Sequence, residues 1–337
     1  LFKEYRDEVK GDMMQEVPIV FAADMNYMKY CAVAIQSIIR TSSADKKYHI
    51  YDLCKNSPKA TEEKMKSAVP GNMIIDFVDV SGMLDEQLLF VDGHVTKETY
   101  YRILIPEILP QWDKVIYLDV DLICNRDIAD LLDADLNNKL LAGVITVGNE
   151  NRKEYTQNFL GIPYETYINA GVLVMNNKEI IRRAGGGFVD ACCGFLREKK
   201  KLKWHDQDVL NALCFPDIFY LDERWNTTPL RIMRRESKQI AEITKTDVED
   251  AYIFHYATNK PWERSLMGMN LPFWLNAYGS AFFDEIISDY MKIADTNVHF
   301  ETMCKDGRVS LSFLVKCLNE TLISRVKQFS RTGKEGD

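Results

Sequence analysis

The chain has 337 residues, 46% of them apolar and 27% charged, with a net charge of −8. That is enough for one large α/β domain or two smaller ones with real cores. The acidic balance argues against a nucleic-acid footprint, which needs a basic face, and the lack of any run of 18 apolar residues argues against a membrane-spanning helix.

Residues 1–16 are charged and weakly patterned, and predict a loose arm or a short helix. Pro18 to Ala23 is a short apolar run that predicts the first strand. Asp24-Met-Asn-Tyr27 interrupts it, and Tyr30 to Ile39 predicts an apolar helix. In open α/β sheets, ligands gather at such strand-to-helix junctions. Asp24, Asn26 and Tyr27 are therefore candidates for contacting a base or ribose, although Asp24 fits a helix cap equally. Tyr48 to Leu53 and Met73 to Val80 predict two further strands around a charged helix near Thr61 to Ala68. Lys97 to Ile108 predicts a helix carrying Arg102, whose planar fork of donors suits phosphate or carboxylate. An ordinary surface charge is the other reading of Arg102.

The chain is organised around Lys114-Val-Ile-Tyr-Leu-Asp-Val-Asp-Leu122. Val115 to Leu118 predicts a buried strand. In an extended segment residues i and i+2 share a face, so Asp119 and Asp121 are expected on one side of Val120. Two adjacent anions repel, and a divalent cation relieves that; hard oxygen ligands suit Mg²⁺ or Mn²⁺. Two aspartates in a turn at a strand end are the simpler alternative.

Asn125 to Leu132 predicts a short helix, and Leu140 to Val147 a strand. Tyr167 to Met175 predicts another strand, in which Gly171 marks a close backbone approach or a bulge. Asn169 within it is a polar amide on an apolar strand and needs partners, whether backbone groups or a sugar hydroxyl. Gly185-Gly-Gly187 breaks a helix, and Asp206 to Leu213 starts another, which Asp206 or Asp208 could simply cap. Thr228 to Lys245 is basic and mixed. Tyr252 to Tyr256 predicts a late strand ending near His255, a structural histidine or a third ligand completing an Asp-Asp-His set suited to Mn²⁺. Pro261 biases Lys260 toward an extended backbone, so Lys260 is either a phosphate donor on a stiff segment or a solvated charge. Helix is expected from Asn276 on, most clearly Phe282 to Met291, with a final amphipathic helix at Val309 to Val326 and a polar tail at 330–337. The alternation of strands and helices predicts a mostly parallel sheet.

The eight cysteines form no CxxC pair. Without a leader-like run at the N-terminus they predict reduced thiols and a cytoplasmic location, with peripheral contact at the inner face of a membrane as an option. There is no G-x-G-x-x-G after the first strand, no P-loop, no G-x-S-x-G and no H-E-x-x-H. Hydride transfer and P-loop chemistry therefore have no support.

Six segments in order carry a resemblance. They are Phe21-Ala-Ala-Asp-Met-Asn-Tyr27, His94-Val-Thr-Lys-Glu-Thr-Tyr-Tyr-Arg102, Tyr117-Leu-Asp-Val-Asp121, Tyr167-Ile-Asn-Ala-Gly-Val172, His205-Asp-Gln-Asp208 and His255-Tyr-Ala-Thr-Asn-Lys-Pro-Trp262. Together the chain resembles glycosyltransferase family 8, the retaining enzymes that include bacterial lipopolysaccharide galactosyl- and glucosyltransferases and glycogenin. The resemblance implies a GT-A fold: an arm at 1–16, a catalytic α/β domain at 17–265 with a mostly parallel sheet flanked by helices, and a helical C-terminal part at 266–337. It implies Mn²⁺ (or Mg²⁺) on Asp119, Asp121 and His255, and a UDP-sugar donor held by Ala22, Asp24, Asn26, Tyr27, Arg102, Val120, Ala170 and Lys260. Asn169, Asp206 and Gln207 would surround the transferred sugar, with Gln207 beside the reacting carbon and Asp206 a possible covalent nucleophile. The implied reaction moves glucose or galactose to a glycan or glycolipid acceptor of cell-surface type. An N-acetylhexosamine donor, a non-catalytic sugar-nucleotide module and nucleotidyl transfer are the competing readings.

Two departures stand out. The family's His-x-x-Gly-x-x-Lys-Pro-Trp loop is one residue shorter here, with Thr258 at the glycine. Where galactosyl-transferring relatives carry an aspartate after a strand, this chain has Thr146, which weakens a galactose-specific reading. The basic segment Arg231 to Lys245, with Arg325, Lys327 and Arg331, is read as a solvated surface or as a patch for an anionic membrane or lipid-linked acceptor.

Overall fold

A computed structural model describes residues 14–92, 96–148, 150–200, 202–263 and 267–296. Most of the expected arm, the start of the His94 segment, the helix expected at Val309 to Val326, the basic residues Arg325, Lys327 and Arg331, and the polar tail lie outside the described residues. Contacts divide the chain into residues 1–286 and 287–337. Of the second unit, 287–296 are described, the end of a helix.

A seven-stranded sheet in the order β3-β2-β1-β4-β7-β6-β8 forms the centre of the first unit. Strand β1 is Gln15–Ala22, β2 Lys46–Cys54 and β3 Met73–Asp79. All three run parallel, as does β4, Val115–Leu118, on the other side of β1. Their apolar runs follow from burial on both faces, which parallel sheets demand. Helix α1, Met28–Thr41, covers one face with Cys31, Val33, Ala34, Ile35 and Ile38. Helix α2, Lys59–Lys66, links β2 to β3. The chain leaves β1 toward β2 on one side and returns to β4 on the other. That reversal opens a crevice at the carboxyl ends of β1 and β4, where such sheets bind ligands.

The helix expected at Lys97 to Ile108 is instead a 3₁₀-helix, Lys97–Leu104, followed by a single α-turn, α3, Ile105–Ile108. Pro106 has no N–H to give the Arg102 carbonyl, and the Ile105 N–H takes that carbonyl in the tighter i→i−3 pattern. The short helix after Arg126 is likewise 3₁₀, Ile128–Asp133, capped by the Asp127 side chain on the Ala129 N–H.

Past β4 the sheet turns mixed. Strand β7, Ile168–Met175, is antiparallel to both β4 and β6, Leu141–Ile145. Gly143 faces Leu173 while Val144 faces Asn169, so one step on β6 spans four residues of β7. Residues 170–172 bulge away from β6 but stay with β4, whose pairing continues through Leu118–Val172 and the Asp119 N–H to the Gly171 carbonyl (2.8 Å). Two strands escaped the sequence reading because three residues show no periodicity: β5, Leu122–Cys124, and β8, Ile218–Tyr220. Strand β5 pairs antiparallel with β9, Ile253–His255, as a separate ribbon.

The remaining α-helices among the described residues are α4 (Glu150–Tyr155), α5 (Asn177–Ala184), α6 (Phe188–Glu198), α7 (His205–Cys214), α8 (Pro229–Glu236), α9 (Lys245–Glu249), α10 (Met267–Gly279) and α11 (Phe283–Thr296). Helix α10 begins nine residues before the expected Asn276; the internal Pro272 masks it in the sequence. Its Phe273 and Ala277 share a core with α1, while α6 and α7 bury Cys192, Val209 and Leu210 against the opposite face of the sheet. The six described cysteines are all buried and free. Among the described residues, no helix is long and apolar enough to cross a membrane.

Candidate active site

Asp119 and Asp121 do not sit on a continuous strand. β4 ends at Leu118, and residues 119–121 bend before β5 begins. The bend still delivers both carboxylates to one place. The β5–β9 ribbon supplies the third group, since it pairs Leu122 with His255, and the Tyr256 N–H bonds the Asp121 carbonyl at 2.9 Å. Ligand atoms of Asp119, Asp121 and His255 lie within 4.8 Å of one another. The His255 Nε2 is 3.3 Å from Asp121 Oδ1 and 3.6 Å from Asp119 Oδ2. Two hard carboxylates and one imidazole fit a divalent cation of the Mn²⁺ or Mg²⁺ type. Gly171 makes room for them. A Cβ there would stand 2.7 Å from Asp119 Oδ2 and 2.8 Å from His255 Nδ1, so both readings of this glycine, bulge and close approach, hold.

Lys260 is buried, with its ammonium on the Asp121 carboxylate and 3.1 Å from the Ala257 carbonyl. Trp262 explains its placement: the indole stacks on Tyr30 of α1 at 3.7 Å between ring centroids, and it packs against Phe273 of α10. Burial opposes ionisation of Asp121, but Lys260 and His255 outweigh it and hold the carboxyl well below its usual range. Burial also works against the Lys260 ammonium, and Asp121 reverses that, raising its pKa.

The opposite wall is built around Arg102, which is 3% exposed and so no surface charge. Its guanidinium donates to Asp119 Oδ1 (3.0 Å), the Thr99 carbonyl (2.9 Å) and the bulged Ala170 carbonyl, lies over the Tyr117 ring, and pairs with Asp206 Oδ2 at 2.8 Å. Asp206 also accepts from the Thr99 hydroxyl (2.7 Å). Burial pushes the Asp206 carboxyl up, and Arg102 and Thr99 only partly offset this. Asp206 and Gln207 enter the cleft because α7 starts at His205 with a left-handed φ of 49°, a strained turn for a non-glycine residue. Gln207 Oε1 accepts from the Ala170 N–H (3.0 Å) and the Asn169 amide (3.2 Å), and Gln207 Nε2 donates to the Tyr167 hydroxyl (3.0 Å). Asp208 faces away from the cleft, where it takes the hydroxyls of Tyr167 (2.5 Å) and Tyr155 (2.8 Å) and the Trp204 N–H (2.9 Å).

One cleft is lined by Ala22, Asp24, Tyr27, Arg102, Asp119, Val120, Asp121, Asn169, Ala170, Asp206, Gln207, His255 and Lys260. Of the residues expected to hold the donor or the cation, Asn26 alone is not on its wall; its side chain is exposed and its N–H bonds Asp24 Oδ1. Asp24 lines the cleft, and the same oxygen takes the Tyr27 N–H in the turn ahead of α1, whose N-cap is Tyr27 itself. The cleft also gains Thr99, Tyr117, Asp92, Lys203, Trp204 and His205. Thr99 and His205 stood inside quoted motifs; Asp92 and Lys203 carried no signal. Thr146 is outside the wall and accepts from Arg152 at 2.8 Å. In the basic segment, Arg231, Arg235, Lys238 and Lys245 each pair with an acid of the same unit.

Curated relatives of the chain are glycosyltransferases. A putative glycosyltransferase of Haemophilus influenzae is 25% identical over 258 residues, 76% of each chain. The lipopolysaccharide glucosyltransferase WaaO of Escherichia coli is 23% identical over 72% of each. Among solved structures, the bifunctional glycosyltransferase WbbM superposes with a TM-score of 0.69 at 24% identity, over 82% of this chain and 52% of its own. The galactosyltransferase LgtC, solved with donor and acceptor sugar analogues, gives 0.65 at 24% identity, over 82% and 96%. These two establish the GT-A fold. The profile of glycosyl transferase family 8 matches residues 18–265, and the chain belongs to that family.

Proposed function

We propose that this protein transfers glucose or galactose from a UDP-hexose to a glycan or glycolipid acceptor, with retention at the anomeric carbon. The observation that carries the reading is the convergence of Asp119, Asp121 and His255 beside Lys260, in the same cleft as Asn169, Asp206 and Gln207. The kinship with lipopolysaccharide glucosyl- and galactosyltransferases supports it. Mn²⁺, or Mg²⁺, held by the first three residues would supply electrophilic stabilisation of the diphosphate charge.

The chain's own groups do the rest. Ala22, Asp24 and Tyr27 hold the uridine end. Lys260, itself buried, places a fixed positive charge where the departing diphosphate develops its negative charge. Asn169 and Gln207 hold sugar hydroxyls, and Asp206 lies behind them with its oxygens on Arg102 and Thr99. The bond from the anomeric carbon to UDP breaks with its electron pair on UDP. The acceptor oxygen forms its new bond from that same face, and its proton passes to an oxygen of the leaving diphosphate. Asp206 is a poor nucleophile for a two-step alternative, because Arg102 and Thr99 occupy its oxygens. Gln207 Oε1 is committed to Ala170 and Asn169. Thr146 offers no carboxylate for a galactose-specific contact, so glucose stands level with galactose.

The test is donor hydrolysis across UDP-glucose, UDP-galactose and their N-acetyl forms, with Mn²⁺ and then with EDTA. Release of UDP from one of the hexoses, abolished by EDTA and by Asp121→Ala, is the expected outcome. Turnover that survives EDTA, or release of UMP in place of UDP, rejects the proposal.

A further inference from the structure

We propose that Asn226 is a positioning residue that fixes which nitrogen of His255 faces the cation and ties that choice to the sugar side of the cleft. Asn226 does not line the cleft, is 2% exposed, and has no part in the chemistry above. Its orientation can be deduced from two backbone donors. The Gly171 N–H points at the Asn169 side chain at 3.0 Å, and the Ala170 N–H at the Gln207 side chain at 3.0 Å. A backbone N–H only donates, so both facing atoms are amide oxygens. The Asn169 NH₂ then gives to Gln207 Oε1, and Asn169 Oδ1 has one lone pair left. Asn226 Nδ2 fills it at 2.7 Å. Asn226 therefore turns its oxygen to His255 Nδ1, 3.0 Å away.

An oxygen at that distance requires a proton on Nδ1. Nε2 is left to face Asp119 and Asp121, which is where a cation must take it. The backbone holds the pair in register: the Thr227 N–H bonds the Ile253 carbonyl at 3.0 Å, and the His255 N–H bonds the Thr227 carbonyl at 2.9 Å. Every link is directional, so one reversed amide would reverse its neighbours. The bulge of β7 thereby sets both the hydroxyl-binding amides and the imidazole with the same two N–H groups.

The inference rests on the reading that Asp119, Asp121 and His255 bind a divalent cation, and its test separates the two. Mn²⁺ binding is measured on the full chain by the electron paramagnetic resonance signal of free Mn²⁺. ¹⁵N-resolved imidazole spectra of the metal-free protein, with His255 assigned through His255→Gln, report the tautomer. The parent should show Nδ1–H at His255. Asn226→Ala should bind Mn²⁺ about 10–100-fold more weakly. Asn226→Asp still accepts from Nδ1–H and should bind Mn²⁺ no more weakly than the parent. It cannot give a proton to Asn169, so its KM for the UDP-sugar should rise. A folded Asn226→Ala that binds Mn²⁺ within twofold of the parent, or an Nε2–H tautomer in the parent, overturns the inference. If the parent takes up no Mn²⁺, the cation reading fails and the tautomer alone decides the role of Asn226.

Discussion

Asp52 should make the stability of this protein fall as pH rises, and Asp52→Asn should remove that fall. The residue lies in β2, with Phe21 of β1 and Phe77 of β3 as its register partners. It is fully buried, and neither carboxylate oxygen makes a well-formed hydrogen bond. Burial pushes its carboxyl up to about 7, and the nearby Ala23 amide offsets only part of that. An unfolded aspartate titrates near ~3.9. Between those two values the unfolded chain ionises Asp52 while the folded chain keeps it protonated. The folded state is therefore penalised progressively from about pH 4 to about pH 7, and fully above that. An interval of ~3 pH units at ~1.4 kcal/mol each sets a ceiling of about 4 kcal/mol. Relaxation and water entry reduce such figures, and roughly 2 kcal/mol is the working expectation. Urea unfolding of parent and Asp52→Asn at pH 5 and pH 8 isolates the effect. A constant cost of the amide cancels between the two pH values, and so do the other titrating groups. Roughly a third of the effect is already present at pH 5, so the variant should gain about 1.3 kcal/mol relative to the parent on going from pH 5 to pH 8. A difference unchanged to within about 0.5 kcal/mol would refute a buried, titrating Asp52.

Gly171→Ala should leave the fold standing but weaken Mn²⁺ binding tenfold or more, as read by titration. Its Cβ must displace Asp119 or His255, and the overpacking should cost about 1–3 kcal/mol in urea unfolding. Asp206→Asn and Gln207→Ala should each lower kcat by about 10–100-fold, as losses of positioning do. Mass spectrometry of the intact chain during turnover should find no glycosyl adduct; an adduct that disappears in Asp206→Asn would establish the covalent route. Thr258→Gly should change UDP-sugar KM by less than about threefold, because the burial of Trp262 between α1 and α10, and not the residue at 258, sets the lysine's position.

What could be read from the sequence follows the range of the forces involved. The parallel half of the sheet was visible because strands buried on both faces are continuous apolar runs, and α1 because its own residues pay no attention to distant partners in showing an apolar helical pattern. Strand β5 was invisible, since Leu122-Ile-Cys124 is defined only by its pairing with β9, about 130 residues later. His255 could be read from the residues only as one of two alternatives, a structural histidine or a third ligand, because that pairing is what carries it to Asp121. Arg102 shows the same limit from the other side. As a residue type it fits a surface charge or an anion site, and only the fold shows its donors engaged by Asp119, Asp206, Thr99 and Ala170.

Asn226 marks where sequence reading stops. An asparagine in Arg224-Trp-Asn-Thr-Thr228 has no periodicity, no motif chemistry and no charge to draw notice. Its importance lies in the direction of one amide, which follows from two N–H groups on a bulge more than 50 residues away. Replacing Asn226 or Asn169 by alanine leaves the composition of the cation site intact and should still weaken what it binds. The three ligands say which ion suits the site. The amides behind them decide whether His255 can present a lone pair to it.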